Sequence, residues 1–269
     1  MRKVFDYIIL AIIQGLTEPI PVSSSGHMVI VKHLLKMSVL NDLNFEIVAN
    51  FGSFIAILFF YRKKIFALIK SFFNYIKTKE NKYYDEYKYC WLIVVGCIPA
   101  GICGLLFKDK IESLSSNVKI VGIALLVTAV LLFIVKNRKG SKKDKGITLI
   151  DSIKIGLFQV LALLPGISRS GSTIVGGLLC DLKTEVAFDY SFMLYIPISC
   201  GTMILGIKDM IESGNLSSLW LPYLLGMIVS GVLTYFSIKL VSKIVKENKL
   251  IYFVFYCLIL GTLTLLFLK

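Results

Sequence analysis

Two short stretches of this chain collect side chains able to do chemistry. The first reads Gln14-Gly15-Leu16-Thr17-Glu18-Pro19-Ile20-Pro21-Val22-Ser23-Ser24-Ser25-Gly26-His27, and the second Leu164-Pro165-Gly166-Ile167-Ser168-Arg169-Ser170-Gly171-Ser172-Thr173. Together they hold a carboxylate, an imidazole, a guanidinium and many hydroxyls, a set that suits displacement at phosphorus. A serine hydroxyl needs a base or an activated setting, which Glu18 or His27 can provide. The fork of Arg169 matches phosphoryl oxygens, and Ser23, Ser24, Ser25, Ser168, Ser170 and Thr173 supply further donors. A helix resuming after each Ser/Gly cluster, Ser23 to Gly26 and Ser168 to Gly171, would offer free backbone N–H groups and its positive dipole end to an anion. A two-metal hydrolase needs several carboxylates. Here Glu18 is helped only by the neutral Gln14, so one divalent cation is the most these stretches support.

Each feature also has a plainer explanation. Serine and glycine permit close helix packing in membranes, a buried histidine is commonly just hydrogen-bonded, and Glu18 with Arg169 would make a structural ion pair. Their coincidence in two related segments favours a task. The other histidine, His33, is read as structural.

The elements that position these stretches belong to a membrane. The chain has 269 residues, is 56% hydrophobic and has mean hydropathy +0.77. Long apolar runs recur at Phe45–Tyr61, Cys90–Phe107, Val118–Val135, Phe188–Ile207, Leu219–Leu240 and Leu250–Leu268. Each is about long enough to cross a ~30 Å hydrocarbon core. Continuous rather than alternating runs mean helices, so the expectation is an all-α polytopic protein with six spans. Asp6 interrupts the N-terminal apolar run, which argues against a cleaved secretory signal. The six cysteines lie in or beside apolar runs without metal-ligand spacing and are read as packing residues.

The two reactive stretches interrupt apolar segments, Val4–Lys36 and Leu149–Asp181, whose halves are too short to cross. Both are expected to be re-entrant hairpins. An ionisable group at that depth costs roughly 3 kcal/mol or more, so Glu18, His27 and Arg169 need partners or a function.

Charge orients the chain. Arg62–Lys88 carries eight Lys/Arg, Lys136–Lys145 six and Lys239–Lys249 four. Lys108–Asn117 has two, Lys208–Ser218 one and Met37–Glu46 none. The basic group is expected inside and the other outside. This bias accounts for the net charge of +13 without nucleic acid. Phe66, Ile69, Phe72, Phe73 and Ile76 recur at helical spacing within the first basic connection, predicting a short helix on the inner membrane surface.

Sliding the chain by 145 residues aligns Gln14 with Gln159, Leu16 with Leu161, Ser23 with Ser168, Ser25 with Ser170 and Gly26 with Gly171. A single membrane domain, 1–269, is therefore expected to contain two repeats, about 1–136 and 147–269. An odd number of crossings separates them, which inverts one relative to the other and brings the breaks together near the midplane.

At these residues the chain resembles the undecaprenyl-pyrophosphate phosphatases of the bacitracin-resistance type, over essentially its whole length. Gln14-x-x-x-Glu18 with Pro21-Val22-Ser23-Ser24-Ser25-Gly26-His27, and Pro165-Gly166-Ile167-Ser168-Arg169-Ser170-x-x-Thr173, carry the resemblance. Phe45-Glu46-Ile47-Val48, Ile98-Pro99-Ala100-Gly101 and Tyr190-Ser191-Phe192 add to it. The resemblance implies hydrolysis of the C55 lipid pyrophosphate to its monophosphate, recycling the carrier of cell-wall synthesis, with bacitracin tolerance. It also implies a bacterial plasma-membrane location, a site open to the external face and dependence on Mg²⁺ or Ca²⁺. Carried across, Ser24 is the candidate nucleophile among the crowded serines, Glu18 and His27 are acid–base or metal-site groups, with Gln14 beside the metal, and Arg169 binds phosphate. Three positions depart from the family pattern: Gln14 replaces a common glutamate, Ser25 a common threonine, and Asn50 a usual glutamine. The first weakens the case for two carboxylates on a metal. The competing class is a lipid flippase or transporter, which shares inverted repeats. Whether the chain forms a homodimer is left open.

Overall fold

The computed structural model describes residues 2–37, 42–115, 117–213 and 219–268. Residues 38–41 and 214–218 carry much of two connections read as external, and they lie outside the described residues. Eleven α-helices are described: α1 (Arg2–Thr17), α2 (Ser24–Leu34), α3 (Leu43–Thr78), α4 (Tyr84–Leu106), α5 (Lys108–Ser115), α6 (Val118–Val135), α7 (Leu149–Leu161), α8 (Arg169–Leu179), α9 (Thr184–Ser213), α10 (Trp220–Lys246) and α11 (Ile251–Phe267).

Among the described residues, five helices (α3, α4, α6, α9 and α10) are long and apolar enough to cross a membrane. The expected sixth, α11, is a shorter apolar helix of 17 residues. Many large apolar side chains point outward, Leu105, Leu106, Phe236, Leu240 and Phe267 among them. Lipid solvates such side chains as well as a protein core would.

The segment expected as a separate surface helix is instead the continuation of α3, which runs unbroken for 36 residues. No glycine or proline stops it after Arg62, and at 1.5 Å per residue it is far longer than the hydrocarbon core. Its last turns pack against the start of α4: the Phe72 and Tyr75 rings lie 5.2 and 4.6 Å from that of Tyr87. Phe66, Ile69, Phe73 and Ile76 remain exposed.

The two short hairpins, α1–α2 and α7–α8, are related by the same 145-residue shift. It carries Ser24–Leu34 onto Arg169–Leu179 residue for residue, and the end of α1 to within one residue of the end of α7. Each hairpin leans on a long helix from the other half of the chain, α1 on α10 and α7 on α4. Small residues allow the approach: a Cβ at Gly15 would lie 2.5 Å from the Ser230 carbonyl oxygen, and one at Gly156 2.4 Å from that of Gly96. Hydroxyls then satisfy backbone across the seams. Thr234 and Ser237 donate to the carbonyls of Gly15 (3.1 Å) and Leu16 (2.6 Å), and Ser152 to that of Leu92 (2.5 Å).

Polar contacts mark the two ends of the bundle. At one end, Tyr7 and Tyr223 both donate to Asp42, the N-cap of α3, and Lys32 of α2 pairs with Glu46. At the other, Lys142 pairs with Asp151 of α7 at 2.9 Å, and Lys64 of α3 with Asp144 at 3.3 Å. Lys145 meets Asp85 at 2.7 Å, and Thr184 donates to Asn248 at 2.5 Å. The three lysine-rich connections thus gather at one end.

Candidate active site

The site is made where the two hairpin breaks touch. Pro19 and Pro21 lack the N–H groups needed to prolong α1, which closes with the Glu18 N–H on the Gln14 carbonyl at 2.9 Å. α7 tightens into i→i−3 bonds from Ala162, Leu163 and Leu164, then breaks at Pro165 and Gly166. Gly166 has φ +94°, a conformation that favours glycine, and a Cβ there would meet Val121 and Ala124 of α6 at under 3 Å. A Cβ at Gly26 would come within 3.2 Å of the Gly166 Cα, and Ser170 Oγ donates to the Ile20 carbonyl at 3.3 Å.

Each second helix then starts on a serine cap. Ser23 Oγ accepts from the Gly26 N–H (3.3 Å) and Ser168 Oγ from the Gly171 N–H (3.1 Å), the same N-cap bond in both copies. The first amides beyond each cap, at Ser24 and Ser25 and at Arg169 and Ser170, have no intrahelical acceptor. They border a cavity of about 230 Å³ lined by residues of both breaks, with Asn50 of α3, Ala100 of α4 and Ser199 and Thr202 of α9.

Glu18 is the hub of this cavity. It is 7% exposed. Its Oε2 accepts from Ser24 Oγ at 2.5 Å and from Gln14 Nε2 at 2.8 Å, while its Oε1 accepts from Arg169 Nη2. Serine, carboxylate and guanidinium therefore form one connected unit across the two breaks. The pairing supplies the partner that each charge needs when drawn out of water. Arg169 is seated by α9: its guanidinium stacks 3.7 Å over the Tyr195 ring, and Nη1 reaches Ser199 Oγ at 3.5 Å. Tyr195 in turn donates to Asn50 Oδ1 at 3.0 Å.

The remaining residues named from the sequence fall in two groups. Ser23, Ser25, Ser168 and Ser170 line the cavity with Glu18, Ser24 and Arg169. Gly26, Thr173 and His27 stand behind it. Gly26 supplies its N–H to the cap and its bare Cα to the contact with Gly166. Thr173 donates to the Arg169 carbonyl at 2.9 Å and meets Ser191 Oγ at 2.5 Å, fixing the first turn of α8. His27 Nδ1 lies 2.7 Å from the Ser23 carbonyl oxygen and Nε2 2.8 Å from Tyr256 Oη of α11, with the two rings stacked. The first contact makes Nδ1 the donor and leaves Nε2 to accept from Tyr256. Both nitrogens are thus engaged away from Ser24. The Ser23 carbonyl that Nδ1 steadies belongs to a residue at φ 70°, strained for a side chain-bearing residue.

Sequence reading passed over Tyr195, Ser199 and Tyr256, and noted Asn50 only as a departure. A signal for the α9 residues existed: Ser191, Tyr195 and Ser199 recur every four residues along an otherwise apolar span, one polar stripe facing α8. Asn50 and Tyr256 had no such pattern, because their partners lie on distant segments.

The family model for bacitracin resistance protein BacA matches residues 7–263. The chain belongs to that family. It is 44% identical over 265 residues to undecaprenyl-diphosphatase 2 of Bacillus thuringiensis (strain Al Hakam), covering 98% of both chains. It is 42% identical over 262 residues to undecaprenyl-diphosphatase 1 of Bacillus licheniformis, covering 97% of both. The undecaprenyl-diphosphatase of Oceanobacillus iheyensis is 38% identical over 267 residues, covering 98% of this chain and 97% of that one. Family membership and five apolar helices make the chain a multi-pass membrane protein.

Proposed function

We propose that this protein is an undecaprenyl-diphosphatase, which hydrolyses the lipid diphosphate to undecaprenyl phosphate and inorganic phosphate with Ser24 as nucleophile. The observation that carries the mechanism is the 2.5 Å hydrogen bond from Ser24 Oγ to a Glu18 carboxylate whose other oxygen is held by Arg169. Glu18 takes the proton as Ser24 Oγ attacks the terminal phosphorus. The bond from that phosphorus to the bridging oxygen breaks, and lipid monophosphate leaves with the electron pair and the proton that Glu18 took from Ser24, which returns Glu18 to carboxylate. Water then attacks the phosphoserine, Glu18 accepts its proton, and phosphate departs as Ser24 regains a hydrogen. Arg169 and the amides at the starts of α2 and α8 hold the phosphoryl oxygens as charge gathers on them. His27 is a positioning residue, steadying the backbone that aims Ser24.

The residues fit a Mg²⁺ or Ca²⁺ ion that draws most of its ligands from the substrate. Among the described residues no three His, Cys, Asp or Glu side chains converge, but Glu18 with Gln14 offers the single carboxylate that a phosphate-bound cation commonly uses. Such an ion would neutralise diphosphate charge.

The contacts of α1–α2 at the Asp42 end and of α7–α8 at the lysine-rich end support hairpins that enter from opposite faces, with α11 as a sixth span. In that inverted repeat, about 1–136 against 147–269, the lysine-rich end faces the cytoplasm and the site opens outward. Phosphate release by the purified protein from C55 or C15 diphosphate tests the reaction. Single cysteines at Lys142 and Lys243, in a cysteine-free background, should resist an impermeant thiol reagent in intact cells. A cysteine at Asn215 should react, and the opposite labelling reverses the orientation.

A further inference from the structure

Among the described residues, five buried side-chain polar atoms lack a hydrogen-bond partner, on Tyr89, Asp144, Gln159 and Ser172. Of these residues only Gln159 belongs to the wall of the cavity, and both of its carboxamide atoms are unpartnered. It is 2% exposed. Desolvating a carboxamide without replacing its hydrogen bonds is costly, so a buried one beside a cavity is best explained by a ligand that completes it.

The repeat explains how the amide came to be unpaired. Gln159 is the counterpart of Gln14 under the 145-residue shift, within one residue of the same distance from the end of its helix. Gln14 spends its amide on Glu18, four residues on, at 2.8 Å. The residue four after Gln159 is Leu163, which also lines the cavity and can accept nothing. The second copy therefore keeps the carboxamide and has no carboxylate to occupy it. What remains is a neutral donor and acceptor in the wall of the cavity that Arg169, Ser24 and Ser168 also line.

We propose that Gln159 is a substrate-binding residue: Nε2 donates to a non-bridging oxygen of the diphosphate, and Oε1 accepts from a water held with it. The assignment rests on the diphosphatase reading. A neutral amide there would add a directional bond without deepening the charge imbalance that a second arginine would create.

The test uses the full-length protein in detergent with two readouts, phosphate release from a C15 diphosphate and the rise in thermal midpoint caused by inorganic pyrophosphate. Gln159→Leu should lower kcat/KM by roughly tenfold or more, mainly through KM, and abolish the pyrophosphate-induced rise. Its ligand-free midpoint should equal or exceed that of the wild type, because an unsatisfied buried group has been removed. Gln159→Glu has no donor and repels phosphate, so it should lose the pyrophosphate response as well. A Gln159→Leu protein that keeps the response and stays within about twofold in kcat/KM overturns the assignment. So does one that loses thermal stability yet still responds, since the amide would then serve the fold. If the wild type responds to pyrophosphate but releases no phosphate, the reaction is wrong and the variants' thermal response alone decides Gln159. A wild type that does neither overturns both proposals.

Discussion

The two hairpins share one pattern of helix, break and serine cap, and differ in the side chains they carry. Both have a helix ending near the same point, a break, and a serine-capped helix of identical extent. The first carries Glu18, where the second has Leu163, and Ser24, where the second has Arg169. Its cap, Ser23, sits at φ 70° and ψ 94°, whereas Ser168 is relaxed at −68° and 121°. One copy sets Ser24 directly after a strained cap. The other holds the cation on relaxed backbone. On the proposed mechanism, two similar serine-capped helix starts divide the labour between attack and charge stabilisation.

The largest expected effect comes from removing the attacking group. Ser24→Ala should reduce turnover by about a thousandfold or more, several kcal/mol in the barrier, while pyrophosphate binding persists through Arg169 and both helix starts. If single-turnover phosphate release keeps more than about a tenth of the wild-type rate, a water activated by Glu18 becomes the better nucleophile.

Glu18→Gln removes the base and the partner of Arg169 together, making the first hairpin more like the second. A loss of roughly 10²–10⁴ in kcat is expected, the usual worth of general-base catalysis. A kcat close to wild type in this variant would leave Glu18 an ion-pair partner without a catalytic part.

Arg169→Lys probes the second hairpin. An ammonium cannot reproduce the fork, nor stack as guanidinium does on Tyr195, so turnover should fall at least tenfold, ~1.4 kcal/mol, with normal membrane insertion. Near-wild-type phosphate release would detach Arg169 from the site.

The smallest effects should separate the caps. Glycine is at ease at positive φ and weakens an N-cap by only a few tenths of a kcal/mol, so Ser23→Gly should leave the thermal midpoint level or raised. Ser168→Gly relieves nothing and should lower it slightly. Equal shifts in the two variants would mean that the strain at Ser23 is not what distinguishes the copies.

Composition and periodicity alone determined a good deal: a helical membrane protein, and two short apolar segments broken at the reactive stretches. They did so because burial in lipid enforces continuous apolar runs, and a break in such a run needs proline, glycine and serine, which local sequence displays. The grouping of acid, guanidinium and hydroxyls also showed, since an ionisable residue in an apolar segment is conspicuous by its cost. Sequence could not decide how those groups are wired. Glu18 and His27 were equal candidates to serve Ser24 until packing turned the imidazole toward the Ser23 carbonyl and Tyr256, and the carboxylate toward Ser24 and Arg169. Those partners lie 151 and 229 residues apart in the chain, and only the meeting of the breaks places them within hydrogen-bond reach. The same holds for Gln159. Its letter matches that of Gln14, and only the folded cavity reveals that one amide is occupied and the other is not.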